Sequence, residues 1–224
     1  TYTKSLTIYL KSTIQDLKIP ENKILISNFD KLVFDLAKDQ EYKVVPKEAG
    51  FLTESQEKEI WKEVLEFIPA IWDENFLSSE YNEVILRNNV KDCETYSKTA
   101  RIGRTTRLGR QDKVKIWSLV EEYKIRKKSN YSKYELCNIL KEYFDRNNYR
   151  PFSHLICDEV QDFSNIELSL MRSLVEEKEN DLFFVGDPFQ NIYCRKINFS
   201  KSGISVRGKR SKKLKVNYRT TEEI

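Results

Sequence analysis

The chain has 224 residues, of which 39% are hydrophobic and 33% are charged, a composition typical of a globular protein with a strongly charged surface. No apolar run approaches the roughly 20 residues that a membrane-spanning helix needs, so no membrane partner is predicted. The net charge of +4 is the small difference between 39 basic and 35 acidic residues and indicates no partner by itself. Four scattered cysteines and one histidine offer no zinc set and favour a cytoplasmic protein with reduced thiols.

Helical patterns alternate with short apolar runs at both ends of the chain. Residues 3–17 place their leucines and an isoleucine on one helical face, and Ser164 is a good N-cap for a second helix over residues 165–176. Strands are predicted at residues 23–28, 154–158, 181–187 and 213–218. Runs this short suit strands buried on both faces of a parallel sheet, and the alternation predicts an α/β domain.

The middle of the chain, from about Thr53 to Phe144, contains only helical patterns. We interpret it as an all-helical insertion into the α/β domain, with Trp61, Trp72 and Trp117 in its core. The predicted division is the first part of the α/β domain at 1–50, the insertion at 51–148, the second part of the α/β domain at 149–212 and the start of a further domain at 213–224. Because the chain begins with neither Met nor a signal peptide, we expect it to lie inside a larger protein.

Carboxylates follow the strand predicted at 154–158, in the segment DEVQD at residues 158–162. Ligands of open α/β sheets bind beyond the carboxyl ends of the strands. Asp158 and Glu159 are adjacent and point in different directions on an extended backbone, which suits two tasks. One carboxylate can hold a hydrated Mg²⁺ and the other can activate the attacking water. A charged loop that only ends a strand is the alternative interpretation.

Two further polar segments follow predicted strands. In VGDPFQNIY, residues 185–193, the amide of Gln190 suits contact with a terminal phosphate and a water. In LKVNYRTT, residues 214–221, Arg219 could read phosphate charge in a transition state while Tyr218 stacks on adenine. The alternatives are aromatic residues that fill a core and an arginine in a surface salt bridge.

In this order, DEVQD, VGDPFQNIY and LKVNYRT resemble motifs II, III and IV of the UvrD/Rep-like superfamily-1 DNA helicases. The initial TYT is similar to motif Ia, and NFDKL at residues 28–32 resembles a degraded TFHSL segment. The helical middle corresponds to the insertion subdomain 1B. The resemblance implies a RecA-like parallel sheet of the P-loop NTPase class. It also implies a motor that uses ATP and Mg²⁺ to move along single-stranded DNA or at single-strand/duplex junctions, 3′–5′ by default, in repair or replication.

The resemblance also implies a role for each matching residue. Asp158 would coordinate Mg²⁺ and Glu159 would be the catalytic base. The other implied residues are Gln190 and Arg219 in catalysis, Tyr218 against adenine, and Tyr2, Thr3 and Tyr193 against DNA.

The sequence contains no GxxxxGK[ST] phosphate-binding loop, and its six glycines form no phosphate cradle. In the family this loop precedes motif Ia. Phosphoryl transfer needs backbone N–H groups, a lysine and Mg²⁺ together. We therefore expect the 224-residue chain alone to be inactive and its parent protein to be an ATPase.

Four arginines recur at every third position around two glycines: Arg101, Arg104, Arg107 and Arg110. A loop of this kind suits nucleic acid phosphates, and it equally suits a solvated loop whose arginines pair with acidic neighbours.

Two alternatives to a motor remain open. One is a metal-dependent nuclease that uses Asp158, Glu159 and Asp162, and the other is a non-catalytic DNA-binding module derived from a helicase.

Overall fold

The computed structural model of the chain describes residues 4–16, 20, 23–102, 104–187, 199–206 and 211–212. No helix within these residues is long and apolar enough to cross a membrane.

Helices make up most of the described chain. They are α1 (Lys4–Asp16), α2 (Phe29–Lys38), α3 (Glu54–Phe67), α4 (Glu74–Glu80), α5 (Cys93–Lys98), α6 (Arg110–Lys127), α7 (Lys133–Asn147) and α8 (Asn165–Ser173). A π-helical turn, Tyr81–Leu86, continues α4, and 3₁₀ turns occur at Val160–Asp162 and Phe199–Ser202. Thr53, Ser132 and Ser164 begin α3, α7 and α8 with capping boxes, which pair backbone N–H groups that a helix start leaves free. The cap predicted at Ser164 is thereby confirmed.

Within the described residues, four short strands form two parallel pairs. β1 (Gly50–Phe51) pairs with β2 (Asn130–Tyr131), and β3 (Leu155–Cys157) pairs with β4 (Leu182–Phe184). Helix α8 is the crossover between β3 and β4, which is the kind of connection that parallel strands require. The prediction of an α/β fold with parallel strands is confirmed to the extent that the described residues combine helices with short parallel strands. β3 and β4 lie where the sequence predicts strands. β2 lies inside the stretch for which only helices were predicted.

Two strand predictions differ from the structure. Residues 24–28 lie outside any strand, and no described strand pairs with them, so their backbone has no ladder to join. β3 and β4 are covered on one face instead of both: Cys157 is 4% exposed, whereas Ile156 is 77% and Phe183 is 61% exposed. The strand predicted at 213–218 lies outside the described residues.

The first hydrophobic core is built by α2, α7 and α8 on the covered face of β3 and β4. Its fully buried side chains include Val33, Leu140, Phe144 and Leu168. Helix α7 therefore packs in the core of the α/β part, although the sequence predicted residues 133–147 within the insertion. An amphipathic helix can bury its stripe against either neighbour, so its periodicity could not decide between the two cores.

A shared cation joins the three helices of this core. The Nζ atom of Lys133, at the start of α7, lies 3.0 Å from Oε1 of Glu167 on α8 and 3.2 Å from Oδ1 of Asp30 on α2. Burial disfavours the charged form of Lys133, but the carboxylates of Glu167 and Asp30 outweigh burial and raise its pKa. Lys133 therefore stays charged and holds α2 and α8 against α7.

The second core belongs to the helical insertion. Trp61, Trp72 and Trp117 are buried in it, as the sequence predicts. Trp61 stacks on Tyr123 with ring centroids 4.2 Å apart and an interplanar angle of 8°. These aromatic contacts give the insertion a core of its own beside the α/β part.

Polar contacts connect the two cores. The hydroxyl of Tyr81, in the second core, donates a hydrogen bond of 2.6 Å to Oε1 of Glu135 on α7. Nζ of Lys127, at the end of α6, lies 3.4 Å from the same oxygen. The insertion is thus tied to the α/β part by a buried carboxylate as well as by the chain itself.

Glu57 on α3 is buried, and burial raises the pKa of its carboxyl group although Ser78 and Asn82 donate hydrogen bonds to it. A group whose pKa is higher in the folded state than in the unfolded state stabilises the fold when the pH is below its unfolded-state pKa. This stabilisation is lost as the pH rises through the folded-state pKa. Glu57→Gln is neutral at every pH. It should therefore raise Tm at pH 7–8, by about 2–4 °C for each kcal/mol gained, and have little effect near pH 4.

Thermal unfolding followed by circular dichroism at several pH values checks this expectation. Glu59→Gln is the matched control, because Glu59 lies on the same helix but is exposed and pairs with Lys62 at the surface. A loss of stability in Glu57→Gln that is equal at pH 4 and pH 8 would contradict the account.

Candidate active site

The candidate site lies at the carboxyl ends of β3 and β4. The strands are parallel and in register, with Cys157 opposite Phe184. Hydrogen bonds continue past the strands, since Val185 N donates to Cys157 O at 2.9 Å and Val160 N donates to Val185 O at 3.0 Å. The two predicted segments, DEVQD and the start of VGDPFQNIY, are therefore side by side at one sheet edge. This is where α/β sheets bind their ligands.

Gly186 allows the two strand ends to approach each other. A Cβ atom at this position would lie 2.5 Å from Oε1 of Gln161 and 2.7 Å from Cγ1 of Val160. Carbon atoms pack at roughly 3.5–4.0 Å, so both contacts would be steric clashes. Glycine is needed here for space.

Gln161 bridges the two segments. Its Nε2 atom donates a 2.6 Å hydrogen bond to Oε2 of Glu159, and its Oε1 accepts a 3.0 Å hydrogen bond from Asp187 N. Gln161 is only 5% exposed, so water competes little for these hydrogen bonds. The amide thus fixes the Glu159 carboxylate relative to the end of β4.

Glu159 has a left-handed backbone, with φ of 54° and ψ of 42°. A residue with a Cβ atom pays on the order of 1 kcal/mol for this conformation, and such residues persist where their surroundings fix them. The turn separates Glu159 from Asp158, whose Oδ1 accepts a 2.9 Å hydrogen bond from Glu159 N. The two adjacent carboxylates are therefore presented differently, as the sequence predicts, although by a turn and not by an extended backbone.

Neighbouring helices support the turn from behind. After the 3₁₀ turn at Val160–Asp162, Phe163 is 2% exposed and its ring meets Phe29 of α2 edge-on, with centroids 5.2 Å apart. Ser164 then starts α8. Burial of Phe163 and the capping box of α8 hold the turn at both ends, so the carboxylates stand on a rigid base.

Gln161 is the functional candidate that the sequence analysis missed. The only signal was its place in DEVQD, where a glutamine between carboxylates has no interpretable spacing. Its importance comes from the distance between two segments 26 residues apart, which the sequence does not give.

Asp158 and Glu159 are the predicted catalytic and metal-binding residues that the structure describes, and both are half-buried at the edge. The predicted positions Tyr2, Thr3, Gln190, Tyr193, Tyr218 and Arg219 lie outside the described residues.

The chemistry of the edge fits a hydrated Mg²⁺ bound with a nucleotide. Mg²⁺ keeps several of its waters and uses one or two protein carboxylates together with phosphate oxygens. Asp158 offers such a carboxylate, and only its Oδ1 is engaged by a described backbone N–H. Among the described residues, no group of three or more His, Cys, Asp or Glu side chains could by itself hold a metal ion.

The thiol of Cys157 points into the core directly before the carboxylates. Burial raises its pKa to about 12. The thiol is therefore protonated at neutral pH, so Cys157 packs as a small apolar residue of the first core.

Among the four predicted DNA-binding arginines, two are paired. Arg101 donates through Nε and Nη2 to the two carboxylate oxygens of Glu80, at 2.6 and 2.7 Å. Nε of Arg104 lies 3.4 Å from the same carboxylate, whose side chain is 0% exposed. The alternative of arginines paired with an acidic neighbour therefore describes these two residues. Arg107 and Arg110 are exposed, and DNA contact by all four stays a prediction.

The segment at residues 28–32 has a structural role in the described chain. Asn28 caps α2 by accepting from Lys31 N at 2.8 Å, Phe29 packs on Phe163, and Asp30 pairs with Lys133. The acidic Asp30 is thus used to hold α7 against α2.

Residues 1–197 match the protein family described as the UvrD/REP helicase N-terminal domain. The match covers most of the chain, including both segments at the ends of β3 and β4, and ends before residues 214–221. A search of curated proteins found no match for the chain.

The close contact at Gly186 gives a direct test of the edge. Gly186→Ala should lower the free energy of unfolding by about 1–3 kcal/mol, because Gln161 and Val160 must move to admit the methyl group. Urea denaturation measures the loss. Gly109→Ala is the control, since a Cβ there would meet Asp112 at an ordinary 3.5 Å. Equal, small losses in both variants would contradict the proposed packing.

Proposed function

The chain belongs to the UvrD/REP helicase family, and we propose on that premise that it supplies the metal-binding and water-activating side of an ATP-hydrolysing site in a DNA translocase. The family relationship connects the chain with ATP-dependent DNA helicases. The roles of individual residues, the direction of movement and the biological pathway are parts of the proposal.

One observation carries the proposal: the bridge of Gln161 between Glu159 and Asp187 N. It joins the DEVQD segment to the GDPFQNIY segment at a single sheet edge. A charged loop that merely ends a strand has no need of a buried amide that fixes one carboxylate to the next strand. A nucleotide site needs such fixed positions, because phosphoryl transfer is catalysed mainly by positioning and electrostatics.

The two carboxylates have different roles in the proposal. Asp158 would hold the Mg²⁺ that accompanies ATP, and this ion would neutralise charge on the phosphate oxygens. Glu159 would accept a proton from the attacking water. Gln161 is a positioning residue, since its hydrogen bond to Oε2 fixes the Glu159 carboxylate that would accept this proton.

Further roles rest on the matching motif positions. Gln190 would contact the terminal phosphate, Arg219 would stabilise the transition-state charge and Tyr218 would stack on adenine. Single-stranded DNA would be bound by Tyr2, Thr3 and Tyr193 on the motor side, with aromatic stacking worth roughly 1–3 kcal/mol per base. Movement 3′–5′ and a place in DNA repair or replication complete the proposal.

The metal-dependent nuclease is the competing proposal. It needs Asp158, Glu159 and Asp162 around a metal ion and gives no reason for the Gln161 bridge or for the glycine at position 186. DNA cleavage with Mg²⁺ or Mn²⁺ and without ATP would favour it over the motor.

The motor proposal predicts that Glu159→Gln lowers the ATPase kcat of the complete protein roughly 100-fold or more, because the general base is lost. The readout is phosphate release with saturating single-stranded DNA. Glu59→Gln, which makes the same chemical change on an exposed helix face, should leave kcat unchanged.

Residues 1–224 alone should show negligible turnover, since they contain no GxxxxGK[ST] loop. Robust hydrolysis by these residues, or full activity of Glu159→Gln in the complete protein, would contradict the proposed roles.

A further inference from the structure

A pocket of about 340 Å³ opens on the helical insertion, between α4 and the loop that leads to α6. Its lining residues are Asn75, Phe76, Ser79, Arg104, Thr105 and Thr106. The lining thus offers an amide, three hydroxyls, a guanidinium and an aromatic ring, and none of these residues is acidic. Such a set of donors suits an anion.

The charges beneath the pocket are unbalanced. The buried carboxylate of Glu80 pairs with Arg101 and Arg104. The pKa of Lys113 is lowered, mainly by burial and next by the charge of Arg101, although the carboxylate of Glu80 acts in the opposite direction. The ammonium of Lys113 is held by the carbonyl oxygens of Tyr96, Ser97 and Thr99. At Glu80 itself, two guanidiniums share one carboxylate, which leaves one positive charge in excess within this group. The region therefore attracts an anion instead of being neutralised internally.

Arg104 is held in place as the donor of this pocket. Its Nη1 donates to Oγ of Ser79 at 2.5 Å, its Nε lies 3.4 Å from Glu80, and its guanidinium carbon lies 5.7 Å from the centre of the Phe76 ring. No hydrogen bond from its Nη2 is found within the described chain. A planar guanidinium fixed on three sides loses little further freedom on binding, which favours recognition of a phosphate.

We propose that this pocket binds a phosphate of a nucleic acid strand, with Arg104 as the charged donor and Ser79, Thr105 and Thr106 as hydroxyl donors. The inference rests on the proposed DNA translocase and adds a specific strand contact on its helical insertion. It also assigns the arginines different tasks, since Arg101 neutralises Glu80 and thereby leaves Arg104 for the ligand.

A polyanion fits the surroundings better than a free phosphate. Arg107 follows Arg104 on the same loop, Arg110 begins α6, and both are exposed. A second, shallow concavity of about 350 Å³ lies on the first turns of α6 and is lined by Arg110, Gln111, Val114, Lys115 and Ser118. A free anion would use one pocket, whereas a strand that leaves it can meet the cations that follow.

Fluorescence anisotropy of a labelled dT₂₀ strand with the 224-residue chain tests the proposal over a range of salt concentrations. Arg104→Ala should weaken binding about tenfold and reduce the slope of log K against log salt by about 0.7, the value for one phosphate contact on a single strand. The double variant Ser79→Ala/Thr106→Val should weaken binding several-fold, on the order of 1 kcal/mol, without changing the slope, because no charge is removed.

Arg126→Ala is the matched control. It removes the same charge from the same insertion, but Arg126 lies 16 residues further along α6 than Arg110, about 24 Å away on a helix. Its affinity and slope should equal those of the wild-type chain. The double variant keeps Arg104 and its pairing with Glu80, so it tests the pocket even if Arg104→Ala unfolds.

The outcomes separate this inference from the proposed function. Wild-type affinity and slope in both pocket variants would overturn the pocket and leave the ATPase proposal standing. The strand assignment would be overturned if thymidine monophosphate competed as strongly, per phosphate, as unlabelled dT₂₀. A wild-type chain that binds no dT₂₀ would also overturn the pocket, while ATP hydrolysis by Glu159→Gln would still decide the motor proposal on its own.

Discussion

The parallel pairing of β3 with β4 is the constraint on which the candidate site depends. The register that places Cys157 opposite Phe184 also places Asp158 beside the residues that follow β4. Gly186 lets the strand ends meet, and Gln161 converts this proximity into hydrogen bonds to both sides. Because a buried amide with both ends bonded has little freedom, the position of the Glu159 carboxylate follows from the backbone of the sheet.

Ion pairs and hydrogen bonds of buried carboxylates hold the parts of the molecule around this edge. Lys133 joins α2, α7 and α8, and Glu135 receives Tyr81 and Lys127 where the insertion meets the α/β part. Glu135 and Glu167 are buried, so removal of the cation that faces either one leaves a buried carboxylate without that cation. Such a loss costs several kcal/mol, so these groups define a single arrangement strongly. Glu80 holds the insertion together in the same way, except that two cations, Arg101 and Arg104, face this single carboxylate.

Much of the edge could be predicted from the sequence, because its signals are local. The apolar runs before Asp158 and Asp187 predicted β3 and β4, Ser164 predicted the start of α8, and strand ends predicted where the polar groups meet. The left-handed backbone of Glu159 could not be foreseen, since Asn or Gly is the usual residue in that conformation. The bridge by Gln161 depends on a distance across the sheet, which no spacing along the chain encodes.

Other differences come from tertiary packing. The periodicity of α7 predicted a helix correctly but could not say which of two cores it would join. The apolar run at 23–28 predicted a strand, yet strands form only against a neighbour, and no described strand lies beside it. The spacing of Arg101 and Arg104 indicated a basic loop, and the buried Glu80 that receives them lies more than 20 residues earlier. The buried carboxylate of Glu80 thus gives two arginines of this basic motif a structural ion pair.

The most direct test of the central claim is the ATPase kinetics of Gln161→Leu in the complete protein. Leucine keeps the approximate size of the side chain but removes the hydrogen bonds to Glu159 and to Asp187 N. If the bridge positions the catalytic base, kcat falls about tenfold or more while KM for ATP changes little, and Gln40→Leu, at an exposed position, leaves both constants unchanged. An unaltered kcat in a folded Gln161→Leu protein would contradict the account.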